Sequence, residues 1–312
     1  MRKMDSEHIT RMGITLIPMR WKTSQADLLG ELPGVATILV ADYPIEGAER
    51  WDEVPGGWRT VAGGTEVFNI DHHAPARRME RRVSSGNLAA AHVGVAGVAA
   101  AADAVVINHC DADSIISSAI LRGLVQPEAR FLDAVIAADH TGAENTIADA
   151  LQALEQERDL DIALQTLLAL RDGEELPARA ADLLELRREE RRGLRALLEE
   201  PGRVRRFGPV TVLAAGRHLP AEMLTPLLPD AAVIVVGYPR QGGRYNMKIR
   251  LGNAAPEGVS LSRLGITSVD LDPAYGGRWN AGSNNRGGGT DLDPFAYGQM
   301  LEQEVTKGLA SS

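Results

Sequence analysis

Cysteine is nearly absent from this 312-residue chain. Cys110 stands alone, which excludes an intramolecular disulfide and any zinc cluster built on thiolates. Long apolar runs are missing too. The longest are short or rich in alanine and glycine, so no membrane-spanning helix is expected. Residues Met1 to Glu7 run into polar positions without the apolar core of a signal peptide, and a cytoplasmic location is the expectation. Positive charge is not in excess: 33 Lys and Arg against 42 Asp and Glu give a net charge of −9. That argues against a surface holding long duplex nucleic acid by counterion release. It leaves small anionic substrates open, because bound divalent cations can reverse the local sign of an acidic pocket. No internal repeat is visible.

What remains is ordinary globular material, 44% hydrophobic and 24% charged, long enough for two domains. Val35–Ala41, Glu66–Ile70 and Ala104–Ile107 read as strands, and their apolar character suits a parallel sheet buried on both faces. Ile14–Met19 reads as a strand for which Pro18 suggests an edge position or an early end. Glu46–Gly64, with its glycines and a proline, reads as irregular connection. Leu88–Ala102 and Ser114–Leu124 suit helices, the second capped by Asp113 or Ser114. Ala134–Ala138 fits either a strand or the end of a helix begun near Glu128.

From residue 147 to 202 apolar and charged residues alternate at helical spacing, which predicts a helical connector. Beyond it, Val210–Ala214, Ala231–Val236 and the alternating Tyr245–Leu251 predict strands, and Phe295–Leu309 a closing helix after Asp293-Pro294. The expected architecture is α/β. It comprises a parallel-sheet domain over 1–146, the connector over 147–202, and a smaller α/β domain over 203–312.

Four apolar runs end in side chains that bear chemistry. Asp42 follows the first, Asp71-His72-His73 the second, His109-Cys110-Asp111-Ala112-Asp113 the third and Asp139-His140 the fourth. In a parallel sheet the carboxyl ends of the strands share one crevice, so these ends are expected to meet there. Carboxylates so crowded would repel one another, and divalent cations remove the repulsion. Alternate residues of His109-x-Asp111-x-Asp113 point the same way, so three donors converge from five positions. Mixed carboxylate and imidazole ligation without thiolate suits manganese, iron, cobalt or magnesium.

A second concentration lies at 276–289, where six glycines are interleaved with Arg278 and Arg286. Glycines such as Gly287 and Gly288 let backbone N–H groups approach a phosphate, and arginine grips one bidentately. Asn280, Ser283 and Asn284 offer further hydrogen bonds, and Trp279 could stack on a base. The basic run Arg77–Val83 reads as a solvated helix face or as a steering patch for phosphate.

These motifs resemble the DHH phosphoesterase superfamily. Asp71-His72-His73, the His109–Ser114 segment and the acidic ends Asp42 and Asp139 carry the likeness. The glycine-rich stretch is similar to a divergent DHHA1 substrate domain, with Arg278 where that family carries a histidine. The motif order is permuted: Asp42 and Asp71-His72-His73 precede His109–Asp113 here and follow the corresponding segment in the family. The resemblance implies one cation on His109, Asp111 and Asp42, and a second on Asp113, His72 and Asp139, with Asp42 bridging. It implies His73 facing the scissile phosphate and Asp71 orienting the histidine pair.

The function this implies is hydrolysis of a small nucleotide: a short single-stranded oligonucleotide, a linear dinucleotide or a phosphonucleotide. Two divalent cations, manganese first and magnesium or cobalt as alternatives, would activate the water. Alternatives are a pyrophosphatase or exopolyphosphatase acting on phosphoanhydrides, and a nucleotide sensor without turnover. A homodimer is compatible with the sequence; a membrane partner is not expected.

Overall fold

The structure is a computed structural model that describes residues 8–18, 23–73, 77, 80–266 and 271–311. Two compact units divide the chain. One holds the described residues up to His140 together with Glu144–Arg187; the other holds Thr141–Ala143 and the described residues from Arg188 onward.

In chain order the first unit comprises β1 (Ile9–Arg11), β2 (Ile14–Leu16), α1 (Gln25–Glu31), β3 (Thr37–Ala41), β4 (Asp52–Val54), β5 (Gly57–Ala62), β6 (Thr65–Ile70), α2 (Ser85–Ala96), β7 (Ala104–Ile107), α3 (Ala112–Arg122), α4 (Ala129–Ile136), α5 (Thr146–Leu154) and α6 (Leu160–Asp172). Its sheet has the order β1-β2-β7-β3-β6-β5-β4. The pairs β2–β7, β7–β3 and β3–β6 are parallel. Ile38, Leu39, Val40, Val105, Val106 and Ile107 are buried, as a parallel sheet covered on both faces requires. Because β3 and β6 pair in register from Thr37↔Glu66 to Ala41↔Ile70, the residues just past their ends are neighbours. The Asp42 N–H donates to the Ile70 carbonyl at 3.0 Å.

Two expectations need correction here, and one open alternative is decided. Glu46–Gly64 is not irregular throughout, since β4 and β5 extend the sheet antiparallel to β6. The Pro55-Gly56-Gly57 turn allows it, and Trp58 is buried opposite Asn69. Of the two readings of Ala134–Ala138, the end of a helix begun near Glu128 is the one observed: α4 runs to Ile136 and widens into a π-helical turn over Ala137–Thr141. The cap of α3 is Asp111, whose Oδ1 accepts the Ser114 N–H at 2.9 Å, and the helix starts two residues early as a result. Met19, at the end of the first predicted strand, lies outside the described residues.

The stretch expected as a helical connector is divided between the two units. Helices α5 and α6 bury Leu151, Leu154, Leu164 and Leu167 and belong to the first unit. Helix α7 (Ala178–Glu199) begins there, with Arg187 Nε donating to Asp149 Oδ1 at 2.9 Å. It continues into the second unit. An amphipathic helix gains more from covering apolar surface than from solvation on all sides.

The second unit adds β8 (Val204–Phe207), β9 (Val210–Ala214), β10 (Val233–Pro239), β11 (Tyr245–Leu251), β12 (Gly276–Gly277), β13 (Ala281–Ser283) and α8 (Pro294–Ala310). Its sheet runs β12-β13-β11-β10-β9-β8, parallel only between β9 and β10. Tyr297, Leu301 and Val305 of α8 join Val212, Val235 and Met247 in one core. Asp293 caps α8 with Pro294 in its first turn, as predicted.

Candidate metal centre

Asp42 is the hub of the first unit's acidic crevice. Its backbone is left-handed (φ 61°), a conformation aspartate tolerates better than most residues, and its side chain is 1% exposed. Oδ1 accepts from Ser85 Oγ at 2.9 Å and Oδ2 from Ser114 Oγ at 2.7 Å. Each oxygen also faces its own imidazoles. Oδ1 lies 3.7 Å from both His72 Nε2 and His73 Nδ1, and Oδ2 lies 3.4 Å from His109 Nε2. A carboxylate divided in this way can serve two cations at once.

On the Oδ2 side, His109 Nε2 sits 3.0 Å from Asp111 Oδ2, while His109 Nδ1 donates to Asn108 Oδ1 at 2.5 Å. The amide thereby turns the other ring nitrogen toward the two carboxylates. Burial alone would raise Asp111, but the adjacent His109 holds its carboxyl well below the usual range. Burial likewise works against a charged His109, and Asp111 overcomes it, so His109 is raised.

On the Oδ1 side, Asp113 accepts the Ser85 N–H at 2.7 Å and the Gly86 N–H at 2.8 Å, at the positive end of α2. His72 Nε2 lies 3.7 Å from Asp113 Oδ2 and 3.4 Å from Asp139 Oδ2. Burial lowers His72 to about 4, so its imidazole is neutral and offers a lone pair at physiological pH. Burial also raises Asp42 and Asp113 well above the carboxylate range; neighbouring aspartates push the same way. Asp71 is fully buried and accepts from His73 Nδ1 at 2.8 Å.

Three sets of donor atoms lie within 4.8 Å of one another: Asp42, His109 and Asp111; Asp42, His72 and His73; and His72, Asp139 and His140. The crevice thus gathers all six predicted metal ligands and both predicted catalytic residues. His140 is an addition, as are Ser85 and Ser114 on the Asp42 oxygens. The serines had no signal beyond lying next to a helix start and a ligand.

The residues fit divalent cations. Two buried carboxyls that would otherwise hold protons, and a neutral imidazole, form an oxygen–nitrogen donor set for Mn²⁺, Mg²⁺ or Co²⁺. Cys110 takes no part, because burial pushes its thiol up to about 12.

The glycine-rich stretch of the second unit sorts differently. Arg278 and Arg286 are exposed and Ser283 is half-buried. Gly287 lies against Ala274, where a Cβ would come within 2.5 Å of its backbone, and Gly288 is left-handed (φ 96°). Asn280 is buried, and its side-chain oxygen has no hydrogen-bond partner among the described residues. Asn284 corrects an expectation. It is fully buried, accepting the Met247 N–H at 2.7 Å and donating to Asp272 Oδ2 at 3.0 Å, so it pins the loop and has no surface for a substrate. In the basic run, Arg77 lies 3.5 Å from Glu80 and 3.7 Å from Glu53, while Arg78 and Met79 lie outside the described residues.

No protein-family model and no curated protein matches the chain. Among solved structures, a pGpG-specific phosphodiesterase, PggH from Vibrio cholerae, is similar at 9% identity and a TM-score of 0.44. The match covers 88% of this chain and 99% of that one. RecJ from Thermus thermophilus, in complex with Mg²⁺, aligns at 16% identity and a TM-score of 0.33, over 71% of this chain and 34% of its own length. An exonuclease RecJ bound to manganese aligns at 13% identity and a TM-score of 0.36, covering 92% of this chain and 79% of that one. Among the described residues no helix is long and apolar enough to cross a membrane.

Proposed function

We propose that this chain is a divalent-metal-dependent phosphoesterase of the DHH type acting on a small nucleotide: a short oligonucleotide, a linear dinucleotide or a phosphonucleotide. The observation that carries the reading is the division of Asp42, with one carboxylate oxygen toward His72 and His73 and the other toward His109. His109, Asp111 and Asp42 would hold one cation; Asp113, His72 and Asp139 would hold the other, with Asp42 shared. When bound, such a pair acidifies a water for in-line attack and neutralises charge developing on the phosphoryl oxygens.

The chain's own residues do the rest. Ser85 and Ser114 fix both Asp42 oxygens, so the shared ligand need not reorganise. Asp71 accepts from His73 Nδ1 and so orients the ring, whose Nε2 edge would face the scissile phosphate. In the second unit, Arg278 and Arg286 would grip a further phosphate, with Ser283 and the backbone at Gly287 and Gly288 beside them.

The test is hydrolysis by the purified chain with Mn²⁺, Mg²⁺ or Co²⁺. Dinucleotides, short oligonucleotides, phosphonucleotides and an aryl phosphodiester are compared with pyrophosphate and polyphosphate. Turnover of the nucleotides supports the reading. Turnover of the anhydrides alone, or of nothing, overturns it.

A further inference from the structure

Among the described imidazoles of the crevice, His140 is left without a task by the six-ligand scheme. It follows Asp139 directly, and successive residues of a regular α-helix diverge by about 100°. Here their donor atoms stay close. The π-helical turn Ala137–Thr141 carries both, and donors of Asp139, His140 and His72 lie within 4.8 Å of one another. Single π turns inside helices recur at functional sites.

The rest of the ring is arranged accordingly. His140 is buried at 9% exposure, and its Nε2 lies 3.1 Å from the Val83 carbonyl oxygen. A carbonyl only accepts, so Nε2 carries the proton and Nδ1 the lone pair. A backbone carbonyl on the far nitrogen is the usual support of a metal-bound histidine. The ring also stands edge-on to His72, with centroids 5.5 Å apart.

We propose that His140 is a direct ligand, through Nδ1, of the cation held by His72 and Asp139. The inference rests on the two-cation reading above. It makes this site richer in nitrogen than its neighbour on Asp42, His109 and Asp111. Imidazole favours a transition metal such as cobalt over magnesium, so the two positions would differ in metal preference.

The experiment uses the full chain loaded with Co²⁺. Proton NMR counts the hyperfine-shifted, exchangeable imidazole N–H signals, and a cobalt titration gives affinities. The expected result is a resonance from His140 Nε2–H in the wild type and its loss in His140→Gln. One of the two cations should bind about tenfold or more weakly while the other is unchanged. In His140→Ala, added imidazole should restore the lost affinity. His140→Phe, which keeps a ring edge against His72, should behave like the glutamine variant.

An unchanged signal count with unchanged affinities in His140→Gln overturns the inference and leaves the two-cation reading standing. Full cobalt affinity in His140→Phe overturns it as well, by showing that the ring only packs. A wild type that binds no cobalt overturns both.

Discussion

Asp71 Oδ1 takes the Nδ1 proton of His73 at 2.8 Å, and the carboxyl doing so is completely buried. That bond fixes the orientation of the ring. Asp71→Asn removes the charged acceptor, and the ring loses the partner that holds it in place. The expected outcome is a 10- to 100-fold fall in kcat, about the effect of losing an outer-shell partner. Cation affinity should stay within about threefold, because Asp71 is not a ligand in this scheme. Steady-state kinetics on an aryl phosphodiester, with a parallel manganese titration, checks both.

Asp42→Asn should act differently. Removing the shared carboxylate weakens both cations together, so the titration should lose its two-site form and activity should fall below detection. Retention of one site at wild-type affinity would argue against a bridging role.

Proton linkage gives a third expectation. Asp42 and Asp113 are raised by burial, and His109 is raised by Asp111, so in the cation-free chain all three hold protons above their ordinary ranges. Binding a cation must displace those protons, and manganese affinity should therefore increase with pH. His72 adds nothing above about pH 5, being lowered to about 4. Calorimetry in buffers of different ionisation enthalpy would report the protons released.

The sign for stability follows from the same groups. A raised carboxyl binds its proton more tightly folded than unfolded. Its contribution is complete below the unfolded value and is lost as pH rises through the folded one. His72 opposes this only between about pH 4 and 6.5, where its unfolded form takes up the proton. Above that range the cation-free chain should melt at progressively lower temperature, and saturating Mn²⁺ should flatten the slope.

Two substitutions separate packing from chemistry. Gly86→Ala would place a Cβ 2.9 Å from Val135 Cγ1 and 3.3 Å from Asp113 Oδ1. Strain of that kind costs about 1–3 kcal/mol, and the displaced Asp113 should weaken cation binding as well. Asn284→Ala strands the Met247 N–H, at about 1–3 kcal/mol, and removes one donor from the Asp272 carboxylate, which keeps Tyr297 and Ala274. It should leave the manganese titration unchanged. Thermal melts alongside that titration distinguish the two.

Much of the crevice was legible because the sheet makes it so. An apolar run that stops at an aspartate marks a strand end, and parallel strands put such ends side by side. Asp42, Asp71 and Asp111 announced themselves on that ground. His140 was placed in the crevice beside Asp139 but given no role there, since its approach to His72 depends on a helical turn widened beyond the usual repeat, which no residue spacing betrays. Asn284 misled for the opposite reason. An amide among glycines and arginines looks like a substrate contact, and only tertiary structure shows it facing Met247 and Asp272. The β4–β5 hairpin was hidden by the glycines that make its turn possible.

The donors of the crevice come from four separate stretches, and Asp42 and Asp139 stand roughly a hundred positions apart. No single stretch supplies every donor of either cation in the proposed scheme, and contacts so distant along the thread form slowly. Asp139 and His140 lie on the π-helical turn after α4 and stand beside His72 only in the folded chain. A complete donor set for either cation of the scheme therefore exists only once the sheet has formed.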